Sequence, residues 1–207
     1  MGRHKKYSRQ TIVRKAMEVF WRHGYDGTST QMLVDGMGVN RFSVYAEFGS
    51  KQALYEAALA LYEQEVVERN LAVIEAPGAG LDAIVQLLRG FAAWAAEDSS
   101  ALGCFMCNTA TECAPNDLGS QRLVHRYVER LSAAFGACLQ EAGRQQQLLP
   151  HVDPVQEGQF LATLLLGFFV QLRARVPAQR IAMSAQGAAG HLQRLTCAQS
   201  WQPRLKG

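Results

Sequence analysis

The chain has 207 residues, which is enough for one or two domains with a substantial core. Because 48% of the residues are hydrophobic and only 19% are charged, the composition excludes an intrinsically disordered chain. The formal net charge of +3 is unevenly distributed. Residues 1–52 contain nine Lys or Arg and four Asp or Glu, a net charge of +5, which leaves −2 for the rest. This distribution predicts a polyanionic partner for the N-terminal quarter.

Composition also indicates the compartment. The N-terminus is charged and no apolar segment of the kind found in signal peptides follows it. The longest apolar-rich run, residues 160–170, is shorter than the roughly 20 residues that span a bilayer. Five cysteines are an odd number, so we expect reduced thiols rather than a disulfide framework. These observations predict a soluble cytoplasmic protein without a membrane partner.

The chain begins with a basic segment and a helix. Residues 1–7 include Lys5 and Lys6 and are expected to form a basic arm that could contact phosphates. Ser8 can cap the first helix, which is predicted to end at His23 and Gly24. The helix has an apolar stripe made of Ile12, Val13, Ala16, Met17, Val19 and Phe20.

Residues 28–51 predict two short helices joined by a tight turn. Thr28 and Ser29 are of the types that cap a helix N-terminus, and Gly38 tolerates the positive φ at which helices often end. Asn40 can cap the second helix, residues 41–48, before Gly49 and Ser50 break the chain again. Two helices joined by a glycine-containing turn are typical of the helix-turn-helix, whose second helix enters the major groove of DNA.

Two stretches in this region resemble the DNA-binding domain of TetR-type regulators. They read AMEVFWRHGYDGTST and GVNRFSVYAEFGSKQAL, and the resemblance covers about residues 8–55. Tyr45, Phe48 and Lys51 have the spacing of the Tyr, Phe and Lys in the family pattern. The resemblance implies a homodimeric regulator, most often a repressor, that binds a palindromic operator and is released by a small-molecule effector.

The rest of the chain shows only helical periodicity. Helices are predicted over about residues 51–75, 81–97, 104–113, 118–143, 154–176 and 178–196, with the clearest break at residues 76–80. We therefore predict an all-α fold. A helix-turn-helix three-helix domain is expected over residues 1–52, followed by a helical effector-binding and dimerisation bundle over residues 53–207.

The DNA-binding candidates lie at the starts of the two short helices and beyond them. They are Thr28, Ser29, Gln31, Asn40, Arg41, Phe42, Ser43, Tyr45 and Lys51. Arg41 could bond guanine O6 and N7, and Phe42 could contact a thymine methyl. The family resemblance implies that Tyr45 and Lys51 contact phosphates. Glu47 departs from the basic residue or histidine often found in the family, and phosphate would repel its carboxylate, so it is left out.

Residues 103–113, which read GCFMCNTATEC, resemble the segment that lines the effector pocket of TetR-type regulators. Three interpretations compete: cysteines packed as small hydrophobes, a pocket wall with Asn108 and Thr111 as polar anchors, or a thiol or soft-metal sensor. The sensor would use Cys104 and Cys107, with Cys113 or His125. Since a lone Cys-x-x-Cys pair is a weak zinc signal, no metal site and no cofactor are predicted. The effector candidates are Phe91, Trp94, Cys104, Phe105, Cys107, Asn108, Thr111, Tyr127 and Phe168.

The last two helices suggest an interface. The helix over residues 154–176 is apolar on nearly all sides, and the one after it is rich in Ala and Gly, which allows another backbone to approach. The resemblance implies that the two form half of a four-helix dimer interface. Its candidates are Phe160, Leu164, Phe168, Leu172, Ala185 and Ala189. A remote alternative is a helical enzyme using a reactive cysteine with His125, but no paired base and orienting group is visible.

Overall fold

A computed structural model describes residues 8–97, 101–114 and 116–197. The basic arm predicted over residues 1–7 lies outside the described residues. The helices are α1 (Arg9–His23), α2 (Thr30–Met37), α3 (Arg41–Phe48), α4 (Lys51–Tyr62), a π-helix (Glu63–Val67), α5 (Glu68–Glu75), α6 (Leu81–Trp94), α7 (Phe105–Glu112), α8 (Leu118–Arg144), α9 (Pro154–Arg173) and α10 (Ala178–Arg194). Over the described ranges there is no strand, only an isolated antiparallel bridge between Leu148 and Thr196. The predicted all-α fold is confirmed.

Short-range capping explains where the first helices begin. The side chains of Ser8, Ser29, Asn40 and Ser50 accept hydrogen bonds from backbone amides three residues later, at 2.8–3.2 Å. Each bond satisfies an amide that has no partner within its helix. At the other end of α2, Gly38 adopts φ 69°, and its N–H donates to the Val34 carbonyl. The predicted helix-turn-helix therefore follows from local sequence.

The helix predicted over residues 51–75 contains an interruption. Residues Glu63–Val67 form a π-helix between α4 and α5. The Glu65 carboxylate in this turn accepts hydrogen bonds from Arg14 Nε at 2.9 Å and from the Gln10 amide at 3.3 Å. A π-turn inserts one residue, so the buried positions step from Tyr62 to Val67, five residues apart, instead of the three or four of a regular α-helix. An unbroken α-helix was predicted over residues 51–75, so this shift was missed.

The chain forms two compact units. The first contains residues 1–68 and 105–125, and the second contains residues 69–104 and 126–207. The division follows packing rather than chain order, because α7 and the start of α8 belong with the N-terminal helices. The domain boundary between residues 52 and 53 stays a prediction.

An aromatic cluster forms much of the core of the first unit. Tyr55 on α4 packs edge-to-face against Phe20, Tyr25 and Phe105, with ring centroids 4.9–5.4 Å apart. The Tyr55 hydroxyl is buried but satisfied, because it shares a 2.8 Å hydrogen bond with the Thr109 hydroxyl. These contacts join α1, α4 and α7.

In the second unit, α10 packs on α6 and α9. Helices α8 and α9 come close at Gly158, where an added Cβ would lie 2.7 Å from the Ser132 carbonyl oxygen. Among the described residues, α9 is the single helix that is long and apolar enough to cross a membrane, by length and composition. Gly158, Leu161, Ala162, Leu165, Phe168 and Leu172 of α9 are buried inside the protein. The core helix of a soluble protein passes the same test.

Candidate nucleic-acid interface

Helix α3 buries one narrow face, and its other side chains are exposed or half-buried. Val44 and Phe48 are buried, whereas Arg41, Phe42 and Ser43 are exposed, Phe42 to 84%. Phe42 is the most exposed of the large apolar side chains among the described residues, so its ring is available for contact with a partner. The start of α3 thus presents a cation, an aromatic ring and a hydroxyl to the surroundings, which can contact base edges and phosphates.

Tyr45 is held by two neighbours. Its hydroxyl lies 3.0 Å from the Thr30 hydroxyl on α2, and the Arg41 guanidinium lies 5.6 Å from its ring centroid. The Thr30 hydroxyl can fix the direction of the tyrosine hydroxyl. Sequence reasoning missed Thr30, although it named the residues on both sides of it. Only the packing of α2 on α3 reveals this pair.

The residues named at the start of α2 have different surroundings. Thr28 is buried, and its hydroxyl donates to the Gly24 carbonyl at 2.5 Å. Ser29 is exposed and caps the helix, and the exposed Gln31 donates to Asp35 at 2.8 Å. Thr28 therefore stabilises the turn from inside, while the two exposed residues lie at the surface.

Glu47, which was excluded as a DNA contact, pairs within the protein. Its carboxylate lies 3.6 Å from Arg9 Nε, and the Arg9 guanidinium lies 5.1 Å from the centroid of the Phe48 ring. The pairing reduces the repulsion that an isolated carboxylate would exert on phosphate. It also links α1 to the end of α3, so Arg9 is a second residue that sequence reasoning missed.

Lys51, the first residue of α4, lies against an aromatic ring. Its Nζ is 4.3 Å from the centroid of Tyr25, within the range of a cation–π interaction. Lys51 and Tyr25 are both half-buried. The lysine is therefore not a freely moving surface side chain.

The effector candidates divide between the two compact units. In the second unit, the Phe91 ring stacks on Phe168 at 5.3 Å and contacts Trp94 edge-on at 5.7 Å, while the Cys104 thiol donates to the Tyr127 hydroxyl at 3.5 Å. In the first unit, Phe105, Cys107 and Asn108 are buried, and Thr111 is exposed. The effector role of these residues stays a prediction.

The first unit contains a cavity of about 510 Å³ whose lining residues are not those predicted to bind an effector. It is lined by Tyr25, Asp26, Gln52, Tyr55, Glu56, Glu112, Cys113, Ala114, Asn116, Asp117, Leu118 and Gly119. Several polar groups in the wall already bond within the protein. The Gln52 amide donates to Glu56, Asp117 and Ser120, and the Tyr25 N–H donates to Glu112 at 3.1 Å. These contacts tie the end of α7 to the turn after α1, and they tie the segment after α7 to α4.

The dimer candidates have unequal exposure. Phe160 is 48% exposed, and Leu164 and Ala189 are partly exposed. Phe168, Leu172 and Ala185 are buried within their own chain. On the same two helices, Val170 and Met183 are large apolar residues with 49% and 65% exposure that were not predicted as interface residues.

Comparison with protein families decides the assignment. Residues 12–58 match the family of bacterial regulatory proteins, tetR family, and residues 80–187 match the tetracyclin repressor-like C-terminal domain. The second match alone covers more than half of the chain. The chain belongs to the TetR family.

Individual relatives and a solved structure support the assignment to the TetR family. It is 31% identical over 148 residues to the uncharacterized HTH-type transcriptional regulator YezE of Bacillus subtilis (strain 168), covering 72% of this chain and 76% of that one. It is 28% identical over 176 residues to the HTH-type transcriptional repressor ComR of Escherichia coli (strain K12), covering 83% and 82%. A solved cysteine mutant of the TetR family regulator CifR, bound to 26-base-pair operator DNA, superposes with TM-score 0.78 at 26% identity over 91% of this chain and 98% of that one.

Family membership makes the chain a DNA-binding transcriptional regulator rather than an enzyme. The proposed partner of a reactive cysteine, His125, is exposed on α8, as expected for a surface residue. The described residues contain no group of three or more His, Cys, Asp or Glu that could hold a metal ion.

The thiols of this TetR-family protein are mostly shielded. Cys104, Cys107 and Cys138 are buried. Burial raises the pKa of Cys138 to about 11 and also raises the pKa of the half-buried Cys113. Because the thiolate is the reactive form, these environments disfavour reaction of Cys138 and Cys113 at neutral pH. The burial of Cys104 and Cys107 is compatible with packing as small hydrophobes, and the sensor stays a prediction.

Proposed function

We propose that this TetR-family protein is a transcriptional repressor that binds a palindromic operator as a homodimer and releases it when a small molecule binds the helical body. The exposed reading face of α3 carries the proposal, because it combines Arg41, Phe42 and Ser43 on a helix whose other face is anchored in the core. Its structural neighbour CifR is bound to operator DNA, and its relative ComR is a repressor. A repressor acts on chromosomal DNA, so we place the protein in the cytoplasm.

In the proposed DNA interface, different residues contact the bases and the phosphates. Arg41, at the start of α3, reads a base, with a preference for the O6 and N7 edge of guanine. Lys51 and Tyr45 contact phosphates, as the family pattern that they match implies. Their groups are held within the protein by Tyr25 and Thr30, respectively. Phe42 contacts a thymine methyl.

The experiment compares Arg41→Ala with Lys51→Ala on the DNA upstream of the protein's own gene and on a scrambled duplex. Arg41→Ala removes a base contact, so it should lower the discrimination between the two duplexes by about 1–3 kcal/mol, because binding to the upstream DNA falls more than binding to the scrambled duplex. Lys51→Ala weakens binding to both duplexes alike and reduces the salt dependence. Equal losses from the two variants on both duplexes would contradict this division of roles.

For the dimer, the proposed contact surface is the exposed apolar part of α9 and α10. Phe160 lies at the surface together with Val170 and Met183, whereas the buried Phe168 and Leu172 support it from inside. Sedimentation of the wild type and of Phe160→Glu tests this, with the charged variant expected to shift the dimer toward the monomer. A wild-type protein that sediments as a monomer at micromolar concentration would contradict the dimer.

For the effector, the proposed class is an aromatic or apolar organic molecule. The support is the aromatic group of Phe91, Trp94 and Phe168, of which Trp94 is partly exposed. A ligand can release the operator only if it binds the DNA-free state more tightly. Operator affinity measured with and without a bound compound is therefore decisive, and a compound that binds without changing operator affinity would contradict the coupling.

A further inference from the structure

Lys51 is placed by a ring from a distant part of the sequence. Residues 25 and 51 are separated by the whole of α2 and α3, yet the Lys51 Nζ lies 4.3 Å from the Tyr25 ring centroid. A lysine side chain has four rotatable bonds, so holding its ammonium at a fixed point normally costs considerable conformational entropy. Contact with the face of an aromatic ring reduces the positions that the ammonium samples before DNA arrives.

The Tyr25 ring is itself fixed on its other sides. It contacts Tyr55 edge-on at 4.9 Å and stacks near Phe20 at 6.3 Å. Burial raises the pKa of Tyr25, and nearby carboxylates, with Asp117 the largest, raise it further. The phenol therefore stays neutral throughout the physiological range, so the ring attracts the ammonium through its π face and not through a phenolate charge.

The backbone of Tyr25 is held by α7. Its N–H donates to the Glu112 carboxylate at 3.1 Å. The preceding Gly24 has φ 72°, and a Cβ there would collide with the same carboxylate. Glycine at residue 24 thus permits both the turn and the close approach of Glu112. Glu112, Tyr25 and Lys51 form a continuous series of contacts within the first compact unit.

We propose that Tyr25 is the positioning residue of Lys51 and that Glu112 in turn fixes Tyr25. Tyr25 holds the Lys51 ammonium at the start of α4, where it meets an operator phosphate, and never touches DNA itself. Glu112 lies at the end of α7, so displacement of this helix end reaches the phosphate contact through two neighbouring contacts. The inference rests on the proposed DNA contact of Lys51.

The test is a double-mutant cycle on operator binding, measured over a range of salt concentrations with Tyr25→Leu, Tyr25→Phe, Lys51→Ala and Tyr25→Leu/Lys51→Ala. Losing one phosphate contact lowers the salt slope by about 0.9 per protomer. We expect Tyr25→Leu to weaken binding several-fold and to lower the slope as Lys51→Ala does. Tyr25→Phe keeps the ring and should match the wild type. The double variant should bind no more weakly than Lys51→Ala.

The outcomes distinguish a failure of the proposed Lys51 phosphate contact from a failure of the positioning role of Tyr25. If Lys51→Ala changes neither affinity nor slope, the proposed phosphate contact is wrong. If Lys51→Ala lowers the slope but Tyr25→Leu does not, or if the two losses add in the double variant, Lys51 contacts DNA and the positioning role of Tyr25 is overturned. A loss in Tyr25→Phe as large as in Tyr25→Leu also overturns it.

A measurement on the wild type guards against a Tyr25→Leu variant that fails to fold. The Lys51 methylene protons next to Nζ lie near the ring face, so their NMR signals should be shifted upfield by the ring current and should remain so in Tyr25→Phe. Signals at the position of an exposed lysine in the folded wild type would overturn the proposal.

Glu112 is tested against a matched acid. Asp26 is exposed and adjacent to Tyr25, so Asp26→Ala removes the same charge from the same neighbourhood. Loss of a negative charge alone strengthens attraction to DNA, so Asp26→Ala should bind the operator as well as the wild type or more tightly. Glu112→Ala should bind several-fold more weakly, and Glu112→Gln, which retains an acceptor oxygen, should recover most of the loss. Tighter binding by Glu112→Ala would overturn the role of Glu112.

Discussion

Helices α3 and α7 are both eight residues long but have opposite environments. Helix α3 buries only Val44 and Phe48, whereas α7 buries five consecutive residues, 105–109. Five successive positions cover every direction around a helix, since one turn takes 3.6 residues. Helix α7 is therefore enclosed over its first five residues, while α3 exposes Arg41, Phe42 and Ser43 at its start.

The difference shows what each helix can do. On α3, Val44 and Phe48 anchor the helix in the core and Tyr45 and Glu47 contact its neighbours, so Arg41, Phe42 and Ser43 are available for contacts with DNA. On α7, the side chains are needed for the core: Phe105 packs against Tyr55 and Tyr62, and the Thr109 hydroxyl bonds to Tyr55. The start of α7 thus packs on α4, which α1 and α3 also contact.

The largest expected effect contrasts one phenylalanine from each helix. Phe105→Ala removes a fully buried ring from the aromatic cluster and should lower the free energy of unfolding by about 3–5 kcal/mol. Phe42→Ala removes an 84% exposed ring and should change it by no more than about 0.5 kcal/mol. Urea unfolding followed by circular dichroism measures both.

The loss of operator affinity should follow the opposite order from the loss of unfolding free energy. Phe42→Ala keeps the fold and loses an apolar contact with a base, so its effect on specific operator binding should exceed its effect on the free energy of unfolding. Similar losses of unfolding free energy in the two variants would show that α3 is packed as deeply as α7. That result would remove the basis for the contrast between the two helices.

Local signals made most of the fold predictable from the sequence. The caps Ser8, Asn40 and Asp153 and the breaks at Gly24 and Gly38 act over three or four residues, so the helix boundaries follow from neighbouring positions. The exposed face of α3 could also be predicted from the sequence, because only the two buried residues, Val44 and Phe48, had to be recognised. Prediction was less accurate at helix ends, such as α6, which ends at Trp94 rather than near residue 97.

Contacts between distant residues could not be predicted in this way. The pairs Thr30–Tyr45 and Arg9–Glu47 join different helices, and Tyr25–Lys51 joins the turn after α1 to α4. Nothing in the spacing of one helix indicates which side chain of another will face it. The same reason applies to α7, where the sequence left packed cysteines, a pocket wall and a thiol or soft-metal sensor open: its first five residues are buried, and the effector role stays a prediction.

A smaller effect is expected at the cap of α3. The Asn40 side chain accepts a hydrogen bond from the Ser43 amide at 2.8 Å, so Asn40→Ala should cost about 1 kcal/mol of unfolding free energy. Asn40→Asp keeps the cap and should leave stability unchanged. It places a negative charge at the reading surface, so it should weaken operator binding in a salt-dependent way. Full operator affinity in Asn40→Asp would indicate that the start of α3 lies away from the phosphates.

The smallest effect concerns the corresponding cap in the segment that follows α7. Asp117 is adjacent to the start of α8 and accepts hydrogen bonds from the Ser120 amide at 3.0 Å and from the Gln52 amide at 2.9 Å. Burial opposes ionisation, but the hydrogen bonds from Ser120, Gln52 and Gly119 outweigh it and lower the pKa of Asp117 below its ordinary 3.8. The unfolded chain therefore binds a proton more readily than the folded one at acidic pH.

The sign of the pH dependence follows from this difference. The stabilisation is fully present above about pH 4 and is lost as the pH falls through the lowered pKa of the folded state. Asp117→Asn should thus be less stable than the wild type by a few tenths of a kcal/mol at pH 7, and the gap should close on acidification. Asn40→Ala, which removes an uncharged cap, should show a constant deficit over the same range. Urea unfolding at pH 7, 5 and 3 measures the stability of both variants. A stability difference between Asp117→Asn and the wild type that widens toward pH 3 would mean that the folded protein holds the Asp117 carboxyl group in its neutral form. The link between the segment after α7 and α4 would then not depend on charge.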